Sequence, residues 1–307
     1  MITKIDLVGP GGEQVDFARI LSSHGVAFLP PTFIDEAVPD MEVTLRVPRG
    51  HPRTVRVRAD SATQAEVEIA GREPGKAAAE AVLEGTRHIL RLDEDLSEFY
   101  ALCEPDEAMR WVCSGAGRML RSATVFEEVV KTICTTNCAW SATERMVGAL
   151  VEHLGHKAPG APKTGVRGRA FPNPVAMAEA GEGFYREVAR AGYRGAYMIS
   201  LARSVAGGEI DLEELNDPEL PEAEVEERLL ALPGVGPYAA AHVMMLLGRY
   251  SRLILDSWTR PTYARIAGYK KVKDSTIVRR WRRYGRYAGL AFWLYLTRGW
   301  IDQPITE

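Results

Sequence analysis

The chain has 307 residues, 46% of them apolar and 26% charged, with a formal net charge of −3. That length buries a sizeable core in two or three packed units, and the composition is ordinary for a soluble globular protein. No window approaches the roughly 18 unbroken apolar residues of a membrane span. The start MITKIDLVGPGGEQ lacks the apolar core of a secretory signal, so a cytoplasmic, nucleoid-associated location is expected.

Along the first 90 residues, EVTLRV (42–47), TVRVRAD (54–60) and AEVEIAG (65–71) alternate apolar with polar side chains. This pattern predicts an antiparallel sheet with one covered face, and FARILSSHG and GKAAAEAVLEGTRHIL (75–90) have the helical spacing to cover it. The fold class expected is α+β, with residues 1–92 as the sheet unit and 93–307 as a mostly helical body. Within that body, TVFEEVVKTICTTN (124–137), ATERMVGALVEHLG (142–155) and GAYMISLARSVAGG (195–208) repeat apolar residues at helical intervals. Residues 156–174 form a Pro/Gly-rich connection, and the acidic stretch 211–232 leads into ALPGVGPYAAAHV (231–243).

Cys103, Cys113, Cys134 and Cys138 contain no C-x-x-C pair, and no cysteine follows Cys138, which argues against a disulfide framework or a zinc ribbon. Charge is unevenly distributed. Between Ala231 and Gly299 thirteen basic residues face only Asp256 and Asp274, giving +11 there and leaving −14 for the remainder. Such a block is the footprint of a phosphate-backbone binder, or else a solvated basic face.

In the stretch 231–243, a Pro233-Gly234-Val235-Gly236 link joins two helices at about 222–248. The glycines supply backbone conformations closed to other residues and allow close approach. Pro237 suits the first helical position. The free amides at Gly236, Tyr238 and Ala239 then point outward from a helix N-terminus, where an anion binds. Further along, the apolar run LIL ends at Asp256. A carboxylate there either caps the helix beginning near Trp258 or does chemistry.

L-P-G-V-G-P-Y followed by L-I-L-D resembles the helix-hairpin-helix, Gly/Pro-rich, catalytic-aspartate superfamily of DNA base-excision glycosylases. Residues 90–112 and 117–140 are similar to the central region of 8-oxoguanine glycosylases. FPNPVAMAEA (171–180) and WRRYGRYAGLAFWLY (281–295) are similar to bacterial 3-methyladenine glycosylases. The resemblance implies a TATA-binding-protein-like sheet unit before a helical body of two subdomains, with Asp256 as the catalytic carboxylate. It implies that Asn137 wedges into the duplex and that Lys270 and Lys271 contact phosphates. The main-chain carbonyls of Leu230, Leu232 and Val235 would hold a monovalent cation, Na or K. No other cofactor is required, and no iron–sulfur cluster is expected.

Lyase members of the family carry a lysine where this chain has Tyr238, and no lysine occurs between Lys163 and Lys270. A phenol forms no Schiff base, so the expected enzyme is monofunctional: water attacks and an abasic site remains. Candidates for the base pocket are Tyr238, His242, Trp140, Trp258, Tyr284 and Phe292. His242, Trp140 and Trp258 are equally readable as core residues. Phe292 takes the place of the glutamine that reads guanine in 8-oxoguanine enzymes, which argues against 8-oxoguanine as the preferred base. Alkylated purines, whose positive charge suits aromatic faces, are the expected substrates. Oxidised or deaminated bases (8-oxoguanine, hypoxanthine, uracil) and a non-catalytic lesion-binding role stand as alternatives. The expected partner is duplex DNA with a damaged base, bound by a monomer.

Overall fold

The computed structural model describes residues 1–35, 37–48 and 50–301. Its strands are β1 (Ile2–Asp6), β2 (Thr32–Asp35), β3 (Asp40–Leu45), β4 (Arg53–Ala59) and β5 (Gln64–Ile69), paired antiparallel in the order β1-β5-β4-β3-β2. Helices α1 (Phe17–Leu21) and α2 (Lys76–Ile89) complete this unit. The body holds α3 (Ser97–Cys103), α4 (Val125–Thr135), α5 (Trp140–Leu154), α6 (Pro174–Glu179), α7 (Gly181–Gly183) and α8 (Arg194–Ala206). It continues with α9 (Glu222–Leu230), α10 (Pro237–Leu246), α11 (Thr259–Ile266), α12 (Asp274–Trp281) and α13 (Ala288–Thr297). No helix among the described residues is long and apolar enough to cross a membrane.

The fold is α+β as expected, but the sheet has two strands more than the alternation announced. β1 and β2 are the two edges, short enough that a period-2 pattern barely repeats. On the inner face Val43 pairs with Val55 and Val57 with Val67, and these pack in one core with Phe17, Ile20, Val82 and Ile89 of the helices. On the outer face the charges are paired: Arg58 with Glu66 and Glu68, Arg56 with Asp40, and Glu42 with Arg167.

Two further cores fill the body. α4, α5, α8 and α9 share one, while α3, α11, α12 and α13 share the other. Helix α10 belongs to both: Ala239, Ala240, Val243 and Met244 face the first, Met245 and Leu246 the second. That double burial explains why its sequence is apolar on every side. α4 starts where the Thr124 hydroxyl accepts the Glu127 amide at 3.1 Å, and Glu213 takes the amides of Val125 and Phe126.

Buried polar bonds join the sheet unit to the body. Arg118 pairs with Glu13 at 2.5 Å and donates to the carbonyls of Arg91 and Glu94, each at 2.6 Å. Arg91 donates to the carbonyls of Met119 and Leu246. Lys131 pairs with Glu127 at 2.6 Å and reaches the Leu29 carbonyl. Burial lowers the His24 pKa to about 3, so its neutral ring donates from Nε2 to the Leu120 carbonyl at 2.7 Å. At the far end of the chain, Trp293 Nε1 donates to the Ser23 carbonyl at 2.8 Å.

Candidate functional site

The hairpin forms because α9 buries Val225 and Leu229, and Leu232 and Val235 anchor the link between the two helices. Gly234 has φ +81°, and a Cβ there would come within 2.5 Å of the Tyr197 ring, so both backbone and packing require glycine. Gly236 is the extended N-cap of α10, with Pro237 following it. Gly236, Pro237 and Tyr238 are exposed, and the amides of Tyr238 and Ala239 have no partner among the described residues. They form the anion-attracting end of a ten-residue helix. The carbonyls of Leu230 and Val235 likewise accept no bond among the described residues, whereas Leu232 accepts the Val235 amide at 3.2 Å.

Asp256 lies where the chain returns from α10 toward α11. Its Oδ1 accepts the amides of Trp258 at 2.8 Å and Thr259 at 2.6 Å, and the Thr259 hydroxyl accepts the Asp256 amide at 2.8 Å. This reciprocal box fixes the carboxylate. Oδ2 has no partner among the described residues. Cap and reactive group are therefore compatible roles, divided between the two oxygens.

Around Asp256 stand aromatic rings. Tyr238 and Trp258 are 37% and 39% exposed. Behind them His242 packs edge-on against Tyr238 at 4.8 Å and against Trp293 at 5.9 Å, and Trp293 meets Trp258 at 5.7 Å. Trp300 closes the group against Trp258 at 5.6 Å. The result is a group of touching rings in which Tyr238 and Trp258 are part-exposed and His242 and Trp293, 9% and 5% exposed, lie behind them. Burial lowers the His242 pKa to about 4, with Asp256 opposing the shift, so the imidazole is neutral at physiological pH. Burial also raises the Tyr238 phenol, Asp256 adds to the rise, and the nearby Thr135 side chain offsets part of it.

Asn137 lies two residues beyond Thr135. It occupies a left-handed turn (φ +48°) between α4 and α5, and its Nδ2 donates to the Tyr193 hydroxyl at 3.4 Å. Arg194 places Nε 2.9 Å from the Thr136 carbonyl, with Nη2 on the same oxygen. The rings of Tyr193 and Tyr197 meet at 5.8 Å, and Tyr197 lies on Gly234. One chain of contacts thus joins the Asn137 turn to the hairpin. Lys270 and Lys271 are exposed on the α11–α12 connection without ion partners among the described residues. Lys273 shares that segment, and the adjacent Asp274 is tied to Arg260 on the first turn of α11 at 2.8 Å.

Three pocket candidates fall elsewhere. Tyr284, 1% exposed, stacks on Trp281 and donates to Asp106 at 2.5 Å. Phe292, 0% exposed, packs against Trp281 and Tyr263. Both pack in the second helical core, without a ring contact to Tyr238, His242 or Trp258 among the described residues. Trp140 donates to Glu144 at 3.1 Å and lies over Gly25 of the sheet unit. Trp293, one residue after Phe292, is the ring of this helix that meets His242 and Trp258. AFWLYL is apolar at every position, so its sequence does not show which side faces the site. Tyr193, Arg194 and Tyr197 also escaped the sequence reading, although YRGAY places two tyrosines four apart on one helical face.

No protein-family model and no curated protein matches the sequence. Solved structures do. The 3-methyladenine DNA-glycosylase from Archaeoglobus fulgidus superposes with a TM-score of 0.73 at 23% identity, over 96% of this chain and 98% of that one. MBOgg1 in complex with a low affinity DNA ligand gives 0.73 at 18% identity, over 97% and 95%. The Clostridium acetobutylicum 8-oxoguanine glycosylase/lyase, in complex with dsDNA containing cytosine opposite 8-oxoG, gives 0.71 at 21% identity, over 97% of each chain. Along nearly its whole length, this chain shares its fold with these three DNA glycosylases.

Proposed function

We propose that the protein is a monofunctional DNA glycosylase that extrudes damaged, alkylated purines from duplex DNA and hydrolyses their bond to deoxyribose. The observation that carries this reading is Asp256, whose Oδ1 is fixed by two amides and whose Oδ2 has no partner among the described residues, beside a group of part-exposed aromatic rings. The hairpin amides and the Lys270–Lys273 segment supply phosphate contacts that carry no sequence information. Asn137 and its neighbour Tyr193 stand where the vacated stack needs filling, which offsets part of the few kcal/mol that extrusion costs.

With the base between Tyr238 and Trp258, the sugar lies toward Asp256. The C1′–N bond breaks and its electron pair goes to the base, which leaves neutral if alkylation had made it cationic. Positive charge develops on the sugar, where a fixed carboxylate stabilises it. Water adds at C1′ and gives up a proton, leaving an abasic site. The electron-rich rings favour a cationic base by about 0.5–2 kcal/mol per contact. Tyr238 offers no amine for a Schiff base, and that absence supports hydrolysis without strand cleavage. The second reading, release of oxidised bases, draws on the likeness in fold to the Clostridium acetobutylicum enzyme.

Incubation with duplexes carrying single defined lesions, with and without later alkali, tests both parts. Base release with breaks only after alkali is expected, and breaks without alkali refute the monofunctional reading. Asp256→Asn should reduce release by at least about 100-fold while DNA binding persists. Full activity in that variant refutes the mechanism.

A further inference from the structure

The first turn of α8 stands between the Asn137 turn and the hairpin. On one side, Arg194 Nε donates to the Thr136 carbonyl at 2.9 Å, and the Tyr193 hydroxyl accepts from Asn137 at 3.4 Å. On the other side, the Tyr197 ring fills the space that a Cβ on Gly234 would need, 2.5 Å from Cδ2 and 2.9 Å from Cγ. Between the two sides, the rings of Tyr193 and Tyr197 meet edge to face, 5.8 Å apart at 74°. This turn is firmly seated. Met198, Leu201 and Ala202 behind it are buried, Gly195 lies against Tyr185, and the Cys134 thiol of α4 is 3.7 Å from Met198 Sδ. Tyr197 itself is exposed, so burial does not account for the ring, whereas its place between Tyr193 and Gly234 does.

We propose that Tyr197 is a positioning residue that couples the two turns, so that gripping the DNA backbone and filling the vacated stack become one event. The inference rests on the glycosylase reading and concerns how that site engages duplex. Phosphate contacts act on every duplex alike, whereas a wedge is useful only where a base leaves the stack. A stiff strut converts the first into the second: with the hairpin fixed on a phosphate, the position of Asn137 over the base pairs is fixed as well. Tyr193 supplies the end of the strut at the wedge, and Tyr197 supplies the end at the hairpin. Coupling between two sites is a shared free energy and therefore reciprocal. Removing the strut should cancel most of what the wedge contributes, without touching the wedge itself.

A double-mutant cycle of Tyr197→Ala with Asn137→Ala tests this. On a duplex with 7-methylguanine opposite cytosine, each single substitution should lower kcat/KM about 10-fold. Adding Asn137→Ala to Tyr197→Ala should then cost less than about 3-fold more, because the wedge is already uncoupled. With the same 7-methylguanine facing a tetrahydrofuran gap, the base is unpaired from the start, and Tyr197→Ala should cost less than about 3-fold. Tyr197→Phe keeps the ring and should restore wild-type kcat/KM on both duplexes. Losses that multiply in the double variant would overturn the proposal, as would equal losses on both duplexes or wild-type activity in Tyr197→Ala. If Tyr197→Ala does not fold, Tyr197→Leu takes its place in the cycle under the same criteria. Failure of the glycosylase reading appears separately, as no base release by the wild-type protein. The same cycle, read as affinity for a tetrahydrofuran duplex over an undamaged one, then still decides the role of Tyr197: losses that fail to multiply support the coupling, and losses that multiply refute it.

Discussion

The junction between sheet unit and body, and the aromatic group beside the hairpin, handle polar groups in opposite ways. At the junction, Arg118 is fully buried and meets Glu13 and two carbonyls, and Arg91 meets two carbonyls and Glu94. Beside the hairpin, Asp256 Oδ2, both nitrogens of His242 and the first amides of α10 find no partner among the described residues. Neither burial nor charge separates the two regions, because both hold nearly buried ionisable groups. What separates them is ion pairing. Arg118 and Arg91 at the junction each face a carboxylate, even though Glu13 Oε2 and Arg118 Nε there lack a hydrogen-bond partner, whereas Asp256 has no ion pair among the described residues.

Substitutions can break this contrast from either side. The largest effect is expected from Arg118→Met, which leaves Glu13 buried without its cation. It should cost about 3–5 kcal/mol of stability, measured by urea unfolding, while any folded fraction binds DNA normally. A loss of DNA binding with unchanged stability would erase the distinction. Next comes Gly234→Ala, which forces a side chain into left-handed backbone and against Tyr197. It should cost roughly 1–3 kcal/mol and weaken binding to undamaged duplex, read by fluorescence anisotropy, because the hairpin amides move. The smallest effect belongs to Arg58→Gln on the outer face of the sheet, where exposed ion pairs predict a change below about 1 kcal/mol. A large loss of DNA affinity there would place the nucleic-acid surface on the sheet.

Much of this organisation was legible in the sequence because local chemistry determines it. Gly234 and Gly236 mark a turn that few other residues make, and LILD puts one carboxylate at the end of an apolar run. The sheet's inner strands showed themselves by alternation; its edges were too short to do so. The rings behind Tyr238 and Trp258 were not legible. Choosing between Phe292 and Trp293 requires the rotation of α13, and a helix apolar on all sides carries no such information. Asn137 could be picked out as a turn residue, but its bond to Tyr193, and the bond of Arg194 to the neighbouring Thr136 carbonyl, join segments 56 to 58 residues apart.

The Trp293 indole is anchored on a carbonyl 270 residues earlier in the chain. During synthesis the strands, the hairpin and Asp256 all emerge before this ring. Helix α13 supplies both a large part of the second core and the Trp293 ring beside His242, so a protein truncated ahead of it would lose the two together.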